Sequence, residues 1–410
     1  MMCPVTTPDA TDDPPPAPTV GDGGRAPVGD PAEAPVVPVL LGAAVISCGV
    51  GLIFPLLAEF QDTFGFSTAG LGLISAATFV ASLVAGLLLA GLADRGHARA
   101  LLVVGLVGTA GSLVWFSLGT ELWQFVAARG LEGLAAGVFI PAARKVVTAG
   151  DPLGAGRRLG LLTSAELAGF MLGPVAGAAL SGLGLQVPFV AVGAVAIALA
   201  VVLGTVRLPE LATATERRSA LESFQLLRRR RVAGAALLSL ALFLPVGIYD
   251  AMWSRYLTDR GASTFLIGLG LSLYAVPVIV FAPWGGRLAD RYGAVRVATF
   301  ALCAVVPLTM GYGLLTVPVL ITALAVVEGV PQAIANPAVQ AAMLDACEAD
   351  EVAAGQGLAY SVNQIGAGGA ALLGPLVYSA TGAEVLFVGV GVLMTLVFAA
   401  GAWLSRRVVP

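Results

Sequence analysis

Charge is scarce in this chain of 410 residues: only 11% of the side chains are Asp, Glu, Lys or Arg, whereas 58% are hydrophobic. Ordinary soluble domains carry about 25% charged residues. A soluble fold of this length needs a polar surface, which 22 basic and 25 acidic side chains cannot supply. The mean hydropathy of +0.91 agrees with this shortage. The composition therefore excludes an ordinary soluble protein and indicates one that crosses a membrane several times.

Histidine and cysteine are also rare, with one histidine, His97, and four scattered cysteines. This scarcity excludes most metal-ligand spacings and any disulfide framework. No nucleophile, base and orienting residue can be assembled around a single histidine, so we expect neither an enzyme nor a bound cofactor or metal. The net charge of −3 argues against a nucleic-acid partner.

The first 35 residues differ from the rest because proline, aspartate, glycine, alanine and threonine dominate them. This composition predicts a disordered tail. It has no basic start followed by an apolar core and a cleavage site, so we expect no signal peptide.

From residue 36 onward, apolar runs of roughly 19 to 28 residues alternate with short polar breaks. About 20 apolar residues suffice for a helix to cross the hydrocarbon core of a bilayer. The pattern predicts twelve transmembrane helices, near residues 36–60, 70–91, 100–118, 122–147, 160–182, 187–206, 232–256, 264–288, 297–315, 317–344, 353–379 and 384–404.

The distribution of basic residues predicts the orientation of these spans. With the N-terminus in the cytoplasm, 19 of the 22 Lys and Arg residues fall in cytoplasmic loops and tails. Only Arg255 and Arg260 fall outside, and Arg129 lies within a span. We therefore expect a multi-pass protein of the inner (plasma) membrane with both termini in the cytoplasm.

The longest interior break divides the chain into two sets of six helices. The predicted organisation is a cytoplasmic tail (1–35), a six-helix bundle (36–206), a cytoplasmic central loop (207–231), a second six-helix bundle (232–405) and a short cytoplasmic tail (406–410). The loop contains the run Arg228–Arg231, which indicates an anchor on the anionic leaflet or a regulatory or partner site.

The two halves repeat each other. Leu-Ala-Asp-Arg at residues 92–95 recurs at 288–291, and Glu132-Gly133 recurs at Glu328-Gly329, both 196 residues apart. Pro141-Ala142 recurs at the same offset. Parallel six-helix repeats around a site near the midplane are typical of secondary transporters.

Residues 286–293 read Gly-Arg-Leu-Ala-Asp-Arg-Tyr-Gly, and the first half keeps Asp94, Arg95 and Arg99 at the equivalent place. On these motifs the chain resembles the major facilitator superfamily from Val36 to Arg407. The resemblance implies that this loop latches the outward-facing state as a cytoplasmic gate. The implied gate residues are Asp94, Arg95, Gly286, Asp290, Arg291 and Gly293; the alternative is that they are polar turn residues beside topology-setting arginines.

The fourth span carries Arg129-Gly130-Leu131-Glu132-Gly133, which is similar to the Arg-x-x-x-Gly pattern of proton-coupled members of this family. A charge inside a span is costly unless it faces water or a carboxylate. Glu132 shares the helical face of Arg129 and is its expected partner. The arginine favours ionised Glu132 and burial disfavours it, so the pair is a candidate protonation switch or a static buried ion pair.

Residues 169–177 in the fifth span match the Gly-x-x-x-Gly-Pro-x-x-Gly pattern of the family's drug:proton antiporters through Gly169, Gly173, Pro174 and Gly177. Glycines at this spacing permit close helix contact, and the proline bends the helix. The resemblance favours efflux, with a close, kinked seam between the halves at the outer side. Generic small-residue packing is the alternative.

The remaining intramembrane polar residues are candidates for the transport site. Glu328 and Glu132 occupy equivalent midplane positions, and the resemblance places their spans around the substrate cavity. Gln332 and Asn336 continue the stripe of Glu328 at four-residue spacing. Asp250, with Trp253 nearby, is predicted near the outer surface as a gate or an interfacial residue, and Glu166 as a proton relay or a seam hydrogen bond.

The leading hypothesis is a monomeric antiporter that exports a small amphipathic or cationic compound and uses the proton gradient as its energy source. Proton-coupling candidates are Glu132, Arg129, Glu328, Glu166 and Asp250; substrate-cavity candidates are Glu328, Gln332, Asn336, Glu132 and Trp253. An uptake symporter or facilitator of the same family, and a non-transporting membrane sensor or scaffold, are the alternatives.

Overall fold

The computed structural model describes residues 36–88, 96–149, 155–206, 222–348 and 351–405, and these residues form helices and turns without a β-strand. The long helices are α1 (Val36–Phe64), α2 (Thr68–Leu88), α3 (Ala98–Leu118), α4 (Leu122–Ala149), α5 (Ala155–Ser181), α6 (Val187–Thr205), α7 (Arg230–Thr258), α8 (Thr264–Tyr292), α9 (Ala294–Leu314), α10 (Pro318–Ala346), α11 (Val352–Thr381) and α12 (Ala383–Ser405). The predicted all-α membrane architecture is confirmed.

Eleven of these twelve described helices are long and apolar enough to cross a membrane. The other, α11, is 30 residues long but carries Gln356, Asn363 and Gln364. It packs against α2 and α7, which belong to different halves.

The central loop is partly described. Residues 222–228 form a 3-10 helix, and α7 begins at Arg230, inside the stretch 207–231 that the sequence assigns to the loop. The predicted tails (1–35 and 406–410) and residues 207–221 lie outside the described residues.

Each half packs in the same order. In the first half α1 lies along α5, and α4 lies against α2 and α3; in the second half α7 lies along α11, and α10 lies against α8 and α9. Between the halves, α2 packs along α11 and α5 along α8. These two interfaces are equivalent under the repeat, which gives the molecule its pseudo-twofold arrangement.

Hydrogen bonds between α1 and α7 join the two halves at one end of the bundle. We call the end with the α1–α2 turn (residues 65–67) the closed end, and the opposite end, with Val36 and Ser405, the terminal end. At the closed end the Ser254 hydroxyl donates to the carbonyl oxygen of Pro55 (2.9 Å) and accepts from the amide of Ala58 (3.2 Å). These bonds join α7 to α1, where α1 is broken by a 3-10 turn at Phe54–Leu56.

Candidate functional site

Arg129 and Glu132 form a buried ion pair on α4, as their spacing predicts. The Nη1 of Arg129 donates to Oε2 of Glu132, and both side chains are almost completely shielded from solvent, at 1% and 0% exposure. The guanidinium also lies 5.8 Å from the centre of the Phe54 ring, at the break in α1. The local packing therefore holds the arginine in place within the first half of the bundle.

Arg129 has a second partner that sequence reasoning did not assign, Asp250 on α7 of the other half. Its Nη2 lies 3.3 Å from Oδ1 of Asp250, whose side chain is 4% exposed. The sequence placed Asp250 near the outer surface, but α7 runs two more turns to Thr258, so Asp250 is buried inside the bundle. Arg129, Glu132 and Asp250 together form what we call the ion triad.

The ion triad has one cation for two carboxyl groups. Among the described residues, Oε1 of Glu132, Oδ2 of Asp250 and Nε of Arg129 have no hydrogen-bond partner, although all three atoms are buried. An uncompensated carboxylate in this environment costs several kcal/mol, on the order of a broken buried ion pair. The triad therefore favours an additional proton or cation whenever it is closed off from water.

Glu328 occupies a separate polar site inside the second half. Its carboxyl group accepts hydrogen bonds from Tyr249 (2.8 Å) on α7 and from Thr309 (3.1 Å) and Tyr312 on α9. Its side chain is fully buried, with hydroxyl donors and no cation among these contacts. Glu328 faces the interior of its own half, in contrast to the expected cavity position.

Repeat symmetry does not bring Glu132 and Glu328 together. Glu132 packs beside Gly49 of α1, and Glu328 beside the equivalent helix α7. Equivalent positions lie on opposite sides of the pseudo-twofold axis, so each acid faces the core of its own half. The link between the halves is instead α7, on which neighbouring residues Tyr249 and Asp250 reach Glu328 and Arg129, respectively.

Trp253, a cavity candidate from the sequence, is 5% exposed. Its ring centre lies 5.5 Å from that of Tyr249 and 5.1 Å from that of Tyr312, both nearly edge-to-face. Tyr256 and Phe387 complete this aromatic cluster. The structure thus places Trp253 in packing around Glu328, where it shields that carboxyl group from water.

The polar stripe of α10 becomes more exposed toward the terminal end. Glu328 and Gln332 are buried, Asn336 is half-buried and Gln340, which donates to Asn336 (2.7 Å), is exposed. On α4 the same trend runs from buried Glu132 to exposed Arg144. The increasing exposure along both helices indicates that the interior of the bundle is more accessible to solvent toward the terminal end.

Glu166 on α5 is half-buried beside the charge of Arg144 on α4. Its Oε1 atom is buried and has no hydrogen-bond partner among the described residues. Sequence reasoning treated Arg144 only as a topology residue, because a pair on two helices leaves no spacing signal. Glu166 and Arg144 thus bring opposite charges of α5 and α4 together within the first half.

The glycine stripe of α5 seats that helix on α1 of the same half. A Cβ atom at Gly169 would overlap the carbonyl oxygen of Ala44, one at Gly173 would lie 2.5 Å from that of Cys48, and one at Gly177 would overlap that of Leu52. The predicted seam between the halves is therefore not made by these glycines, because one stripe can face only one neighbour.

The other edge of α5 does meet the second half. A Cβ atom at Gly268 of α8 would lie 2.5 Å from the carbonyl oxygen of Pro174, and the Ser272 hydroxyl donates to the carbonyl oxygen of Met171 (2.6 Å). Pro174 has no amide hydrogen and so cannot donate to the carbonyl oxygen of Phe170 one turn earlier; a Cβ atom at Gly51 of α1 would lie 2.9 Å from that oxygen. The motif therefore contributes to two contacts: its glycines pack against α1 of the same half, and Pro174 packs against α8 of the other half.

The expected gate residues lie at the terminal end. Asp290 and Arg291 are exposed in the last turn of α8, and the Arg291 guanidinium stacks 5.1 Å from the Tyr292 ring centre. Gly293 ends the helix in the left-handed region (φ 92°), and Gly286 has open space where a Cβ atom would be. Asp94 and Arg95 lie outside the described residues.

The sequence matches the Major Facilitator Superfamily over residues 39–254 and again over residues 235–410, so both halves are covered. The chain belongs to the Major Facilitator Superfamily. Members of this superfamily are membrane transporters of small molecules, so the chain is a multi-pass transporter and not an enzyme.

Relatives within the superfamily include multidrug resistance proteins. The chain is 26% identical to the multidrug resistance protein MdtG of Serratia proteamaculans (strain 568) over 388 residues, which is 90% of this chain and 93% of that protein. It is 27% identical to MdtG of Klebsiella pneumoniae (strain 342) over 314 residues, 73% of this chain and 76% of that protein.

Solved structures of the superfamily share the fold. A bacterial homologue of the human lysosomal transporter Spinster, in an inward-facing and unoccupied conformation, superposes with a TM-score of 0.77 at 15% identity, covering 93% of this chain and 98% of that one. The nucleoside transporter NupG (D323A mutant) also gives a TM-score of 0.77, at 17% identity, covering 90% and 99%. At this identity the likeness describes the architecture alone.

Proposed function

We propose that this transporter exports a small amphipathic or cationic compound in exchange for protons. The observation that carries the proposal is the ion triad, in which one arginine of the first half holds carboxyl groups from both halves. The resemblance of the chain to proteins named for multidrug resistance supports efflux as the direction.

The surplus carboxyl group of the triad is the coupling element. With the closed end shut, the buried triad is close to neutral when it carries one proton and negative when it does not. A cationic substrate that approaches from the terminal end replaces that proton electrostatically and releases it. Proton and substrate therefore compete for the same negative charge, which is the requirement for exchange.

Opening of the closed end breaks the Arg129–Asp250 contact, because the two residues belong to different halves. Asp250 then reaches water on that side, the cationic substrate leaves, and a new proton neutralises the surplus charge. Reclosure buries the proton-loaded triad again and completes the cycle.

Glu328 is the second proposed protonation site. Tyr249 binds its carboxyl group, and the adjacent Asp250 binds Arg129, so a shift of α7 changes the surroundings of both acids. Glu166 and Arg144, nearer the terminal end, would pass protons or substrate between the cavity and water. Gln332 and Asn336 would contact the substrate on its way to the triad.

The proposed gate and topology follow from the basic residues. The terminal end is cytoplasmic, both termini lie in the cytoplasm and the protein resides in the inner membrane as a monomer. Asp290 and Arg291, with Asp94 and Arg95 in the first half, latch the terminal end when the closed end opens; the exposure of Asp290 and Arg291 supports a released latch in this conformation. The proton gradient supplies the energy, and no cofactor takes part.

The test is substrate-dependent proton movement in everted membrane vesicles that contain the transporter. A panel of lipophilic cations added to energised vesicles is expected to release protons in the wild type and to release far fewer in Asp250→Asn and Glu132→Gln. Glu121→Gln, which removes an exposed carboxyl group at the closed end, is the control and should behave as the wild type.

Two outcomes would overturn the proposal. Proton movement in the same direction as the substrate would indicate symport and uptake. Substrate movement without any proton movement across the pH range would indicate a facilitator.

A further inference from the structure

A cavity at the terminal end of the second half includes the gate glycine Gly293 in its lining, but its charged side chains have no role in the proposed transport cycle. Its volume is about 200 Å³, and it lies between the start of α7, the α8–α9 turn and the last residues of α10 and α12. Five helix ends meet here at the boundary of the apolar spans. The cavity therefore lies at the depth of lipid head groups.

The charged side chains that line the cavity are Arg231 on α7, Arg296 on α9 and Asp345 on α10. All three are exposed. Within the described part of the chain, no ion pair joins Asp345 to either arginine, although the three line one cavity. The cavity is thus lined by two cationic side chains and one anionic side chain, and a ligand that carries both an anionic group and a hydrogen-bond donor or cationic group can fill it.

The surface beside the cavity is apolar and faces the lipid. Trp403 on α12 is 60% exposed and lies under the guanidinium of Arg230, 4.9 Å from its ring centre. Phe300 lies one turn along α9 from Arg296 and is 70% exposed. Tryptophan and arginine in this arrangement are typical of the membrane–water boundary. A ligand with a charged head in the cavity can therefore lay hydrocarbon chains along Phe300 and Trp403.

We propose that this cavity binds a phospholipid head group. The phosphodiester lies between Arg231 and Arg296, which donate charge-assisted hydrogen bonds to its oxygens. The beginning of α9 at Ala294 adds backbone amides on the same side. Asp345 accepts a hydrogen bond from a donor on the head group, either the ammonium of phosphatidylethanolamine or the hydroxyls of phosphatidylglycerol.

The hydrocarbon surface distinguishes this site from one for free phosphate. A phospholipid can place its head group in the cavity while its chains remain in the hydrocarbon of the bilayer beside Phe300 and Trp403, whereas a soluble anion makes no use of that apolar surface. Asp345 adds discrimination among lipids, because the choline of phosphatidylcholine carries no hydrogen-bond donor. The inference is independent of the direction of transport and of proton coupling.

The experiment is native mass spectrometry of the detergent-purified transporter titrated with phosphatidylethanolamine, phosphatidylglycerol or phosphatidylcholine of the same acyl composition. The wild type is expected to retain one phosphatidylethanolamine or phosphatidylglycerol molecule more tightly than phosphatidylcholine. Arg231→Gln with Arg296→Gln should weaken that binding about tenfold or more, since each basic contact at a membrane surface contributes roughly a factor of five.

The matched control is Arg157→Gln with Arg287→Gln, which removes two exposed arginines of the same end outside the cavity. This control should bind lipid as the wild type does. Arg231→Lys with Arg296→Lys should bind within a few-fold of the wild type. Binding by the lysine pair would show that a loss in the glutamine pair is not caused by misfolding. Asp345→Ala should retain binding but lose the preference over phosphatidylcholine.

Three results would overturn the proposal: equal binding by the glutamine double variant and the wild type, equal loss in the control pair, or displacement of the lipid by millimolar inorganic phosphate. The last would identify a site for a soluble anion. Equal binding of all three lipids by the wild type would remove Asp345 from the site.

Discussion

Asp250 in the second half lies 3.3 Å from the guanidinium of Arg129 in the first, and Arg129 is at the same time bonded to Glu132 on its own helix. The arginine therefore links the two rigid bodies that must separate at the closed end. It also leaves one carboxyl group in excess, so the charge of the link depends on the proton or cation present. Four expectations follow from this arrangement and from the packing around it.

Loss of the cation is expected to damage the protein more than loss of an anion. Arg129→Gln leaves two buried carboxyl groups without compensation and should destabilise the folded protein by about 3–5 kcal/mol, the range for a broken buried ion pair. Asp250→Asn leaves Arg129 and Glu132 paired one to one and should retain wild-type stability. Thermal unfolding of the purified variants measures the difference. Equal stability of the two variants would show that the triad is not a charge-balanced unit.

Asp250→Asn is expected to impair transport strongly although it leaves stability unchanged. Asp250→Asn should fold normally yet lose at least tenfold in substrate-driven proton exchange, because its triad no longer has a site for the extra proton. Proteoliposomes with an imposed proton gradient provide the measurement, with Glu121→Gln as the matched loss of a carboxyl group. Normal coupled exchange by Asp250→Asn would remove Asp250 from the mechanism.

The hydroxyl groups around Glu328 are expected to act together with it. Tyr312→Phe removes a donor to a buried carboxyl group and should lower stability by about 1–3 kcal/mol. In a Glu328→Gln background the same change should cost less, since hydrogen bonds to charged groups are the stronger ones. A double-mutant cycle by thermal unfolding tests this. Additive effects of the two changes would indicate that the Tyr312 hydroxyl does not act through the Glu328 carboxyl group.

The glycine stripe of α5 offers a packing test with a control on the same helix. Gly169→Ala places a methyl group against the backbone of α1 and should destabilise the protein by about 1–3 kcal/mol, as overpacking does. Gly160→Ala meets no atom within 4 Å and should be neutral or slightly stabilising. Similar melting temperatures for both variants would contradict the close approach of α5 to α1.

Much of this architecture was predictable because it depends on local patterns. Apolar run lengths gave the helices and the shared offset of 196 residues gave the two halves. The Arg129–Glu132 pair was predictable for the same reason, since residues three apart on a helix are neighbours.

Contacts between helices were less predictable. The bond between Arg129 and Asp250 joins residues 121 positions apart, and no spacing rule relates them. The sequence repeat identified Glu132 and Glu328 as equivalent residues and led us to expect both at the substrate cavity. In the structure each of them faces the core of its own half. The spacing of the α5 glycines predicted a close helix contact, which the structure has, but the spacing does not indicate which neighbouring helix makes that contact.

The most direct test of the central claim is the distance across the closed end as pH changes. Spin labels at Glu121→Cys and Glu384→Cys, two exposed positions on different halves at that end, report its opening by double electron–electron resonance in a background without native cysteines. For wild-type Asp250 we expect longer distances as pH rises, because the deprotonated triad is costly to bury, and a return to short distances when a transported cation is added. With Asp250→Asn the distances should lose most of this pH dependence. An unchanged pH response in Asp250→Asn would contradict the account.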